Sequence, residues 1–434
     1  MVTRFVHCSD LHLGYNQFQE EERFRDFGLA FANIVDFCID RHVDYLIIAG
    51  DIFNKRSINA KTLTQAIELF KRLKNADIPV VVIEGNHDKA PYGEGDSWMS
   101  FLNQQGYFHL LSPSFEQGQL VLNPWDPTTC TGNLLVKSGI RFIGLGYLGS
   151  MAARRIEELN QILLPSNTFT VLLLHSAVDR LMHLGGISLA NLKPLTDRVD
   201  YIAMGHVHEQ YEVENWVYNP GSPECWDLGE SEKSKGFFYV EVEGKNKRVE
   251  HIPSLRRPVV NVRVDVTEVH TPEQVNQMII EELKTTYHHY PMKPIIRVII
   301  QGILPFNPLA LDQSELAVSI KEHYPCLTVE IVNNAVLEGG LNVSKGQARV
   351  EREALEEQVL RQLVKEYGKV PQNCIGSVVN VAQQIKELVM TAEDQDDQQI
   401  LALIDQLVTE MEQVEKAELA VLSIAATTDG GDVE

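Results

Sequence analysis

The stretch Tyr45-Leu46-Ile47-Ile48-Ala49-Gly50-Asp51-Ile52-Phe53 decides how the rest of the chain is read. An apolar run of this length, ended by Gly-Asp, is the pattern of a strand buried on both faces. Its C-terminal end presents a carboxylate in the crevice where open α/β sheets collect ligands. Four other segments close apolar runs in the same manner: Asp10-Leu11-His12, Asn86-His87-Asp88, His175, and His206-Val207-His208. Together the five strand ends offer enough oxygen and nitrogen donors for two divalent ions sharing Asp51. Spacing by two in D-x-H and H-x-H predicts that both side chains face the same side, because the side-chain period of an extended chain is two. Carboxylate mixed with imidazole suits Mn²⁺, Fe²⁺ or Zn²⁺ rather than Ca²⁺, which prefers oxygen alone.

Outward from that stretch, strands and helices alternate. A strand over 3–8 precedes a helix over 22–41, where Phe24, Phe27, Phe31, Ile34, Val35 and Cys38 recur at three- and four-residue steps. A helix over 59–75, with Ile67, Phe70 and Leu73 inward, leads to a strand over 79–83. Three strands separated by two helices imply parallel pairing through right-handed crossovers. Beyond Leu134 the strands come closer together, over 134–137, 141–145, 168–174, 201–204, 216–218, 237–242 and 248–252. Two packed sheets with helices outside are the expected result.

At 434 residues the chain is too long for one ordinary core, so two or three domains are expected. A net charge of -22 argues at first against a nucleic-acid ligand. Its distribution weakens the objection. From Thr391 onward there are twelve acids against Lys416 alone, a net of 11 of the 22 negative charges, and carboxylates of a metal site count as acidic until cations bind. The N-terminus enters Phe5-Val6-His7-Cys8 without a basic flank or a long apolar region, and no apolar stretch reaches membrane-spanning length. A cytoplasmic protein without membrane contact is expected. Cys8, Cys38, Cys130, Cys225, Cys326 and Cys374 form no C-x-x-C pair, which speaks against a disulfide scaffold or a thiolate zinc site.

Taken singly, each motif has a commonplace explanation: D-x-H arises by chance, Gly-Asp is a frequent turn, and a histidine at a strand end is often a hydrogen-bonded core residue. Order and number override this. The succession D-x-H, G-D, G-N-H-D, H, G-H-x-H, one segment per strand end, resembles the calcineurin-like metallophosphoesterase superfamily over roughly the first 255 residues. The resemblance implies a four-layer αββα sandwich and a dinuclear site. Asp10, His12, Asp51 and His208 would hold one ion, and Asp51, Asn86, His175 and His206 the other. His87, oriented by Asp88, would contact the phosphate and protonate the leaving oxygen. The other histidines, at 7, 42, 109, 183, 251, 270, 288, 289 and 323, lack such partners and are read as structural or exposed, His183 least securely.

Narrower features point to a substrate class. Arg23-Phe24-Arg25-Asp26, Gly50-Asp51-Ile52-Phe53, and Val217-Tyr218-Asn219-Pro220-Gly221-Ser222-Pro223 with Trp226-Asp227 and Lys235-Gly236-Phe237 resemble the SbcD nucleases and their archaeal and eukaryotic Mre-type counterparts. The resemblance implies a DNA exonuclease and endonuclease, with two divalent ions, usually Mn²⁺, processing double-strand breaks or hairpins in DNA repair and recombination. Asn54 stands where many relatives carry a second phosphate-contacting histidine, which bears on cleavage polarity. A phosphodiesterase for cyclic nucleotides or other small diesters is the runner-up. A DNA-end or ATPase-binding scaffold with weak catalysis is a third reading, against which the complete ligand set argues.

The expected division is a nuclease domain over 1–256, a small α+β domain over 257–336, and a helical segment over 337–434. The middle part reads as strand 259–264, helix 272–288, strand 295–300, helix 312–323 and strand 327–332, and resembles the capping domain that positions DNA over the groove of such nucleases. The last part reads as helices over 347–367, from Ser377 and from Asp396. In the last of these Ile400, Ile404, Leu407, Met411 and Val414 form an apolar stripe barely two heptads long. By resemblance this segment grips an SMC-like ATPase of the SbcC or Rad type, and the chain forms a homodimer. Residues 427–434 are expected to be disordered.

Overall fold

In a computed structural model, which describes residues 2–91, 95–178, 186–338, 360, 361, 364, 375–391, 403–406 and 408, the chain begins β1 (Thr3–Cys8), α1 (Glu21–Asp40), β2 (Tyr45–Ile48), α2 (Ala60–Asn75), β3 (Val80–Val82), α3 (Trp98–Gln104) and β4 (His109–Leu110). It continues through β5 (Ser114–Glu116), β6 (Gln119–Val121), β7 (Leu134–Lys137), β8 (Ile140–Gly146), α4 (Ala152–Ile162), β9 (Phe169–His175), α5 (Leu189–Leu192), β10 (Tyr201–Gly205), β11 (Tyr211–Val213) and β12 (Val217–Asn219). Then come β13 (Gly236–Glu243), β14 (Asn246–Pro253), β15 (Val259–Asp265), α6 (Pro272–Thr286), β16 (Ile295–Gln301), β17 (Ile303–Leu304), α7 (Gln313–His323), β18 (Val329–Asn333) and β19 (Val336–Leu337).

Two six-stranded sheets stack face to face. The first has the order β14-β13-β1-β2-β3-β4, with β1 to β4 parallel and β13 and β14 antiparallel at one edge. The second has the order β11-β12-β10-β9-β8-β7, with β8, β9, β10 and β12 parallel. Period-two alternation explains why these strands read as unbroken apolar runs: both faces are covered. In β2, Tyr45 and Ile47 enter the core between the sheets, while Leu46 and Ile48 enter the core under α1 and α2. In β9, Val171 and Leu173 face the inter-sheet core, while Leu172 and Leu174 pack with Ile156 and Leu159 of α4. Three separate cores are what an αββα sandwich requires. Each fully buried Leu or Ile contributes about 1.5–3 kcal/mol of transfer free energy.

Up to residue 333 the expected strands and helices form within one or two residues of their expected bounds. The N-cap of α2 is Asn59, whose side chain accepts from Thr62 N at 2.9 Å. Unforeseen elements are α3, β4 and the β5–β6 hairpin in 98–133, α4 in 149–165, and the short α5, β11, β17 and β19. The first three are too short to build a period. In α4 the apolar signal, Ala152, Ile156 and Leu159, was present in the sequence.

Beyond Arg257, the parallel sheet β15-β16-β18 carries α6 and α7 on one face around its own core, which includes Val262, Ile279, Val298 and Ile320. Thr271 and Gln274 form a capping box at the start of α6, with Pro272 at the first helical position. The opposite face meets the loop after β12: Cys225 and Leu228 pack on Ile295 and Val259, and Asn261 bonds Ser231. The Arg23–Asp26 signature proves to be part of a buried junction at the same place. Arg23, fully buried, donates to Asp26 at 2.7 Å and to Glu224 at 3.3 Å, and Arg257 donates to both oxygens of Asp26 at 2.6 and 2.9 Å. Removing one partner of such a network would leave an uncompensated buried charge, costing about 3–5 kcal/mol.

The chain divides into two compact units, 1–338 and 339–434. In the second, a helix spans Ile375–Thr391, close to the helix expected from Ser377. The helices expected over 347–367 and from Asp396 fall outside the described residues, apart from 360, 361, 364, 403–406 and 408, which are helical. His183 and residues 427–434 also lie outside. No helix among the described residues is long and apolar enough to cross a membrane. Cys8, Cys38, Cys130, Cys225 and Cys326 are free thiols.

Candidate metal centre

The loops leaving β1 and β2 continue to pair after the strands end: Asp10 N donates to Gly50 O at 3.0 Å, His12 N to Asp51 O at 3.1 Å, and Leu13 N to Ile52 O at 2.8 Å. To do so the backbone leaves extended geometry. Asp10, His12, Asp51 and His206 have φ of 55°, 46°, 52° and 89°, in the left-handed region that costs non-glycine residues on the order of 1–3 kcal/mol each. The extended backbone expected at D-x-H and H-x-H from a side-chain period of two does not form. The side chains converge through left-handed turns, held by inter-loop hydrogen bonds, and not through extended backbone.

Close approach of these loops depends on glycine. Gly50 has φ 92°, and a Cβ there would collide with the His175 ring and come within 2.9 Å of Gly85 N. A Cβ on Gly85 would overlap the Asp51 carboxylate, lying 2.7 Å from its Cγ and 2.5 Å from Asp51 N. We expect Gly85→Ala to displace that carboxylate by a good fraction of an ångström and to lower hydrolysis of a chromogenic phosphodiester by about 100-fold, in line with the cost of a 1 Å misplacement. Rate assays at saturating metal, beside a thermal melt, would check this; an unchanged rate would show that the carboxylate's position is not critical.

Seven of the expected residues meet at one place. Asp10, His12 and His208 form one group whose donor atoms lie within 4.8 Å of one another; Asp51, His175 and His206 form a second. Asp51 also groups with His12 and His87, linking the two. The seventh expected ligand, Asn86, places its Oδ1 3.2 Å from His175 Nε2, while Asp51 Oδ2 lies 3.3 Å from the same nitrogen. The ring tautomers follow from what lies behind them. His175 Nδ1 donates to Ala49 O at 2.7 Å and His208 Nδ1 to Glu230 at 2.9 Å, so each Nε2 turns a lone pair inward. His208 Nε2 then lies 3.1 Å from His12 Nε2 and 3.9 Å from Asp10 Oδ1. Acceptors converge on acceptors, an arrangement that calls for cations between them; the residues fit divalent metal.

Electrostatics tell the same story. The carboxylates draw positive charge into the site, whether it comes as a cation or as a proton on His175: burial pulls that imidazole down, but Asp51 and Asp10 outweigh it and push it up to about 9. Burial works against ionised Asp51 too, yet His175, His12 and His87 hold it below the usual carboxylate range. Burial keeps Asp10 above that range and His12 well below the imidazole range. Burial, then the neighbouring His175, lowers His206 to about 4. The carboxylates thus demand positive charge, while His12 and His206 are kept neutral and able to donate lone pairs.

His87 stands at the rim, with its ring edge-on to His12 at 5.1 Å. Its backbone N–H donates to Asp51 Oδ1 at 2.9 Å, and its Nδ1 meets the Asn54 carbonyl at 2.7 Å. Asp88 does not orient it. The Asp88 carboxylate turns away to accept from Ile52 N, Phe53 N and Gly85 N at 3.2, 3.0 and 3.0 Å, clamping the loops after β2 and β3 together. Burial and the nearby Asp51 push Asp88 up to about 7. The orienting group for His87 is the backbone of Asn54, whose buried side chain accepts from Trp226 Nε1 at 2.9 Å.

Residues 3–210 match the calcineurin-like phosphoesterase family. This part of the chain is a calcineurin-like phosphoesterase domain. With its convergent donor groups, the phosphoesterase domain is that of a metal-dependent phosphoester hydrolase. Curated relatives extend the likeness beyond it. The DNA double-strand break repair protein Mre11 of Sulfurisphaera tokodaii is 26% identical over 324 residues, 72% of this chain and 78% of that one. The protein of the same name from Archaeoglobus fulgidus is 27% identical over 60% of this chain and 61% of its own. That from Aeropyrum pernix is 23% identical over 95% of this chain and 98% of its own.

Among the remaining histidines, His7 is buried in the inter-sheet core, bonded to Tyr201 Oη at 2.9 Å and Met204 O at 3.0 Å. None of the others that are described belongs to a metal-type group. Sequence reasoning did not assign roles to Trp226, which stacks on Tyr15 beside His12, or to Glu230 and Lys235. The only signal for them was their place in the N-P-G-S to K-G segment.

Proposed function

We propose that this chain is the nuclease subunit of a DNA double-strand-break or hairpin-processing complex, hydrolysing phosphodiester bonds at two divalent ions, with Mn²⁺ the working pair. The observation that carries this is the convergence of acceptor atoms from five strand ends on one place, with a single imidazole, His87, left over at the rim. In this reading Asp10, His12, Asp51 and His208 hold one ion and Asp51, Asn86, His175 and His206 the other. Ions bound there would supply Lewis acidity and a water of lowered pKa. His87, with Nδ1 engaged by the Asn54 carbonyl, presents Nε2 to the phosphate and gives its proton to the leaving oxygen. Asp88 keeps the two ligand-bearing loops in register.

DNA as substrate, and an SMC-like ATPase as partner, rest on the names of the relatives together with the N-P-G-S and K-G segments. Residues 257–336 are the capping domain that positions DNA, residues 337–434 dock the ATPase, the chain works as a homodimer, and its place is the cytoplasm. Cleavage of end-labelled linear and hairpin DNA with Mn²⁺, beside a chromogenic diester, tests the activity. DNA cleavage that rises on adding the ATPase supports the reading, whereas hydrolysis of the diester with DNA untouched in every condition would point to small diesters instead. Deletion of 340–434 is expected to abolish co-purification with the ATPase and leave diester hydrolysis within about twofold. Retained co-purification would remove the docking role.

A further inference from the structure

His208 sits in a loop beyond the end of β10, without a strand to hold it, yet its backbone is fixed from three sides. Asn219 Nδ2 donates to Val207 O at 2.7 Å and to Glu209 O at 2.9 Å, the carbonyls on either side of it. With two carbonyls as partners, the amide can point only its NH₂ that way. His208 O itself accepts from Lys235 Nζ at 2.8 Å and from Ser222 N at 3.2 Å. Gly221, at φ 74°, lets the turn come this close, since a Cβ there would lie 2.8 Å from His208 O and 2.9 Å from Gln210 N.

The side chain is held by the same segment. Glu230 Oε1 takes the Nδ1–H of His208 at 2.9 Å, and Glu230 Oε2 takes Lys235 Nζ at 2.5 Å. Lys235 is 3% exposed and its three protons have three acceptors: His208 O, Glu230 Oε2 and Ser222 Oγ at 2.8 Å. A buried ammonium is a poor device for stability, since apolar packing of the same volume serves as well or better. Here it pins a carboxylate whose other oxygen settles which ring nitrogen of His208 faces Asp10 and His12.

We propose that Asn219, Ser222, Glu230 and Lys235, the polar residues of the N-P-G-S to K-G segment, form a holder that sets the orientation and tautomer of His208, and so tune the affinity of one of the two metal positions. They are positioning residues. The inference rests on the dinuclear reading above and assigns a physical task to a motif that reading uses only as a mark of likeness. Carboxylates behind ligating histidines are worth about 10–100-fold in metal affinity, which sets the size of the effect.

The test is Mn²⁺ binding to the full chain by equilibrium dialysis, resolved into two sites, with the thermal midpoint of the metal-free protein measured alongside. Glu230→Ala is expected to weaken one site by about 10–100-fold and leave the other within about threefold, and hydrolysis should recover as Mn²⁺ is raised. Glu230→Gln, which keeps an acceptor for Nδ1–H, should fall between this variant and wild type. Two unaltered sites in Glu230→Ala would overturn the proposal while leaving the metal centre intact. Equal weakening of both sites with a lowered midpoint, in Glu230→Ala and Glu230→Gln alike, would also overturn it, reducing the segment to a structural brace. Failure of the wild-type chain to bind two ions would instead remove the dinuclear reading itself.

Discussion

Asp51→Ala is expected to lower phosphodiester hydrolysis by about 10⁴-fold or more and to reduce bound metal from two ions per chain to one or none. The reason is position. Asp51 belongs to a donor group with His175 and His206 and to another with His12 and His87, so its carboxylate is what the two proposed ion positions have in common. Without it, His175 loses the carboxylate 3.3 Å from its Nε2, and Asp10, grouped with His12 and His208, is the one acid left among the donor groups. Water not activated by an ion keeps a pKa near 15.7 in place of about 7, a difference larger than the rate loss expected. Because Asp51 accepts from the His87 N–H and faces His175, its removal should also lower the thermal midpoint, which must be measured beside metal content. Asp51→Asn separates shape from charge: it preserves an acceptor for the His87 N–H, which lies 2.9 Å from Asp51 Oδ1, and should still lose most activity. Metal content after dialysis, hydrolysis rate and thermal midpoint together decide the matter. Wild-type metal content in either variant would show that Asp51 is not shared.

The site was legible in the sequence because its donors sit where unbroken apolar runs stop, and those runs are unbroken because β1, β2, β3, β9 and β10 are covered on both faces. What was not legible depends on register between segments distant in sequence. The left-handed turns at Asp10 and His12 follow from β1 lying parallel to β2, which brings the carbonyls of Gly50 and Asp51 opposite their amides. No spacing rule within D-x-H contains that information. Likewise Asp88 looked like the partner of His87 because it is adjacent in the chain, but neighbouring side chains diverge, and three backbone N–H groups claim it first. Glu230 and Lys235 stand 22 and 27 residues from His208 and reach it only after β11 and β12 have turned the chain back. The Arg23–Asp26 signature, read as a mark of nuclease kinship, has a physical task of its own, since Arg23, Asp26, Glu224 and Arg257 tie α1 to the connector before β15. The charge of the whole chain says little about the site, because half of the excess lies in the last 44 residues, remote in sequence from the donors.

His87→Ser should separate chemistry from metal binding. We expect full metal content and unchanged DNA binding, with cleavage lowered by about 10²–10⁴-fold, the span typical of a lost general acid. Two features of the geometry lead there. The His87 contact to Asp51 is made by its backbone N–H, which serine retains, so the carboxylate keeps its support at 2.9 Å. The imidazole otherwise makes its Nδ1 bond to the Asn54 carbonyl and an edge contact with the ring of His12, a proposed ligand that keeps its own group with Asp10 and His208. If His87 supplies the proton, the penalty should depend on the leaving group. Cleavage of DNA, whose alkoxide needs protonation, should suffer the full loss, whereas a nitrophenyl diester, whose phenolate leaves unaided, should lose less. Equal losses on both substrates would make His87 a phosphate-binding residue and not an acid. Loss of metal along with activity would instead place His87 among the ligands, a role its grouping with His12 and Asp51 also allows on distance alone. Comparing the two substrates at saturating Mn²⁺ therefore distinguishes acid, phosphate-binding residue and ligand in one series.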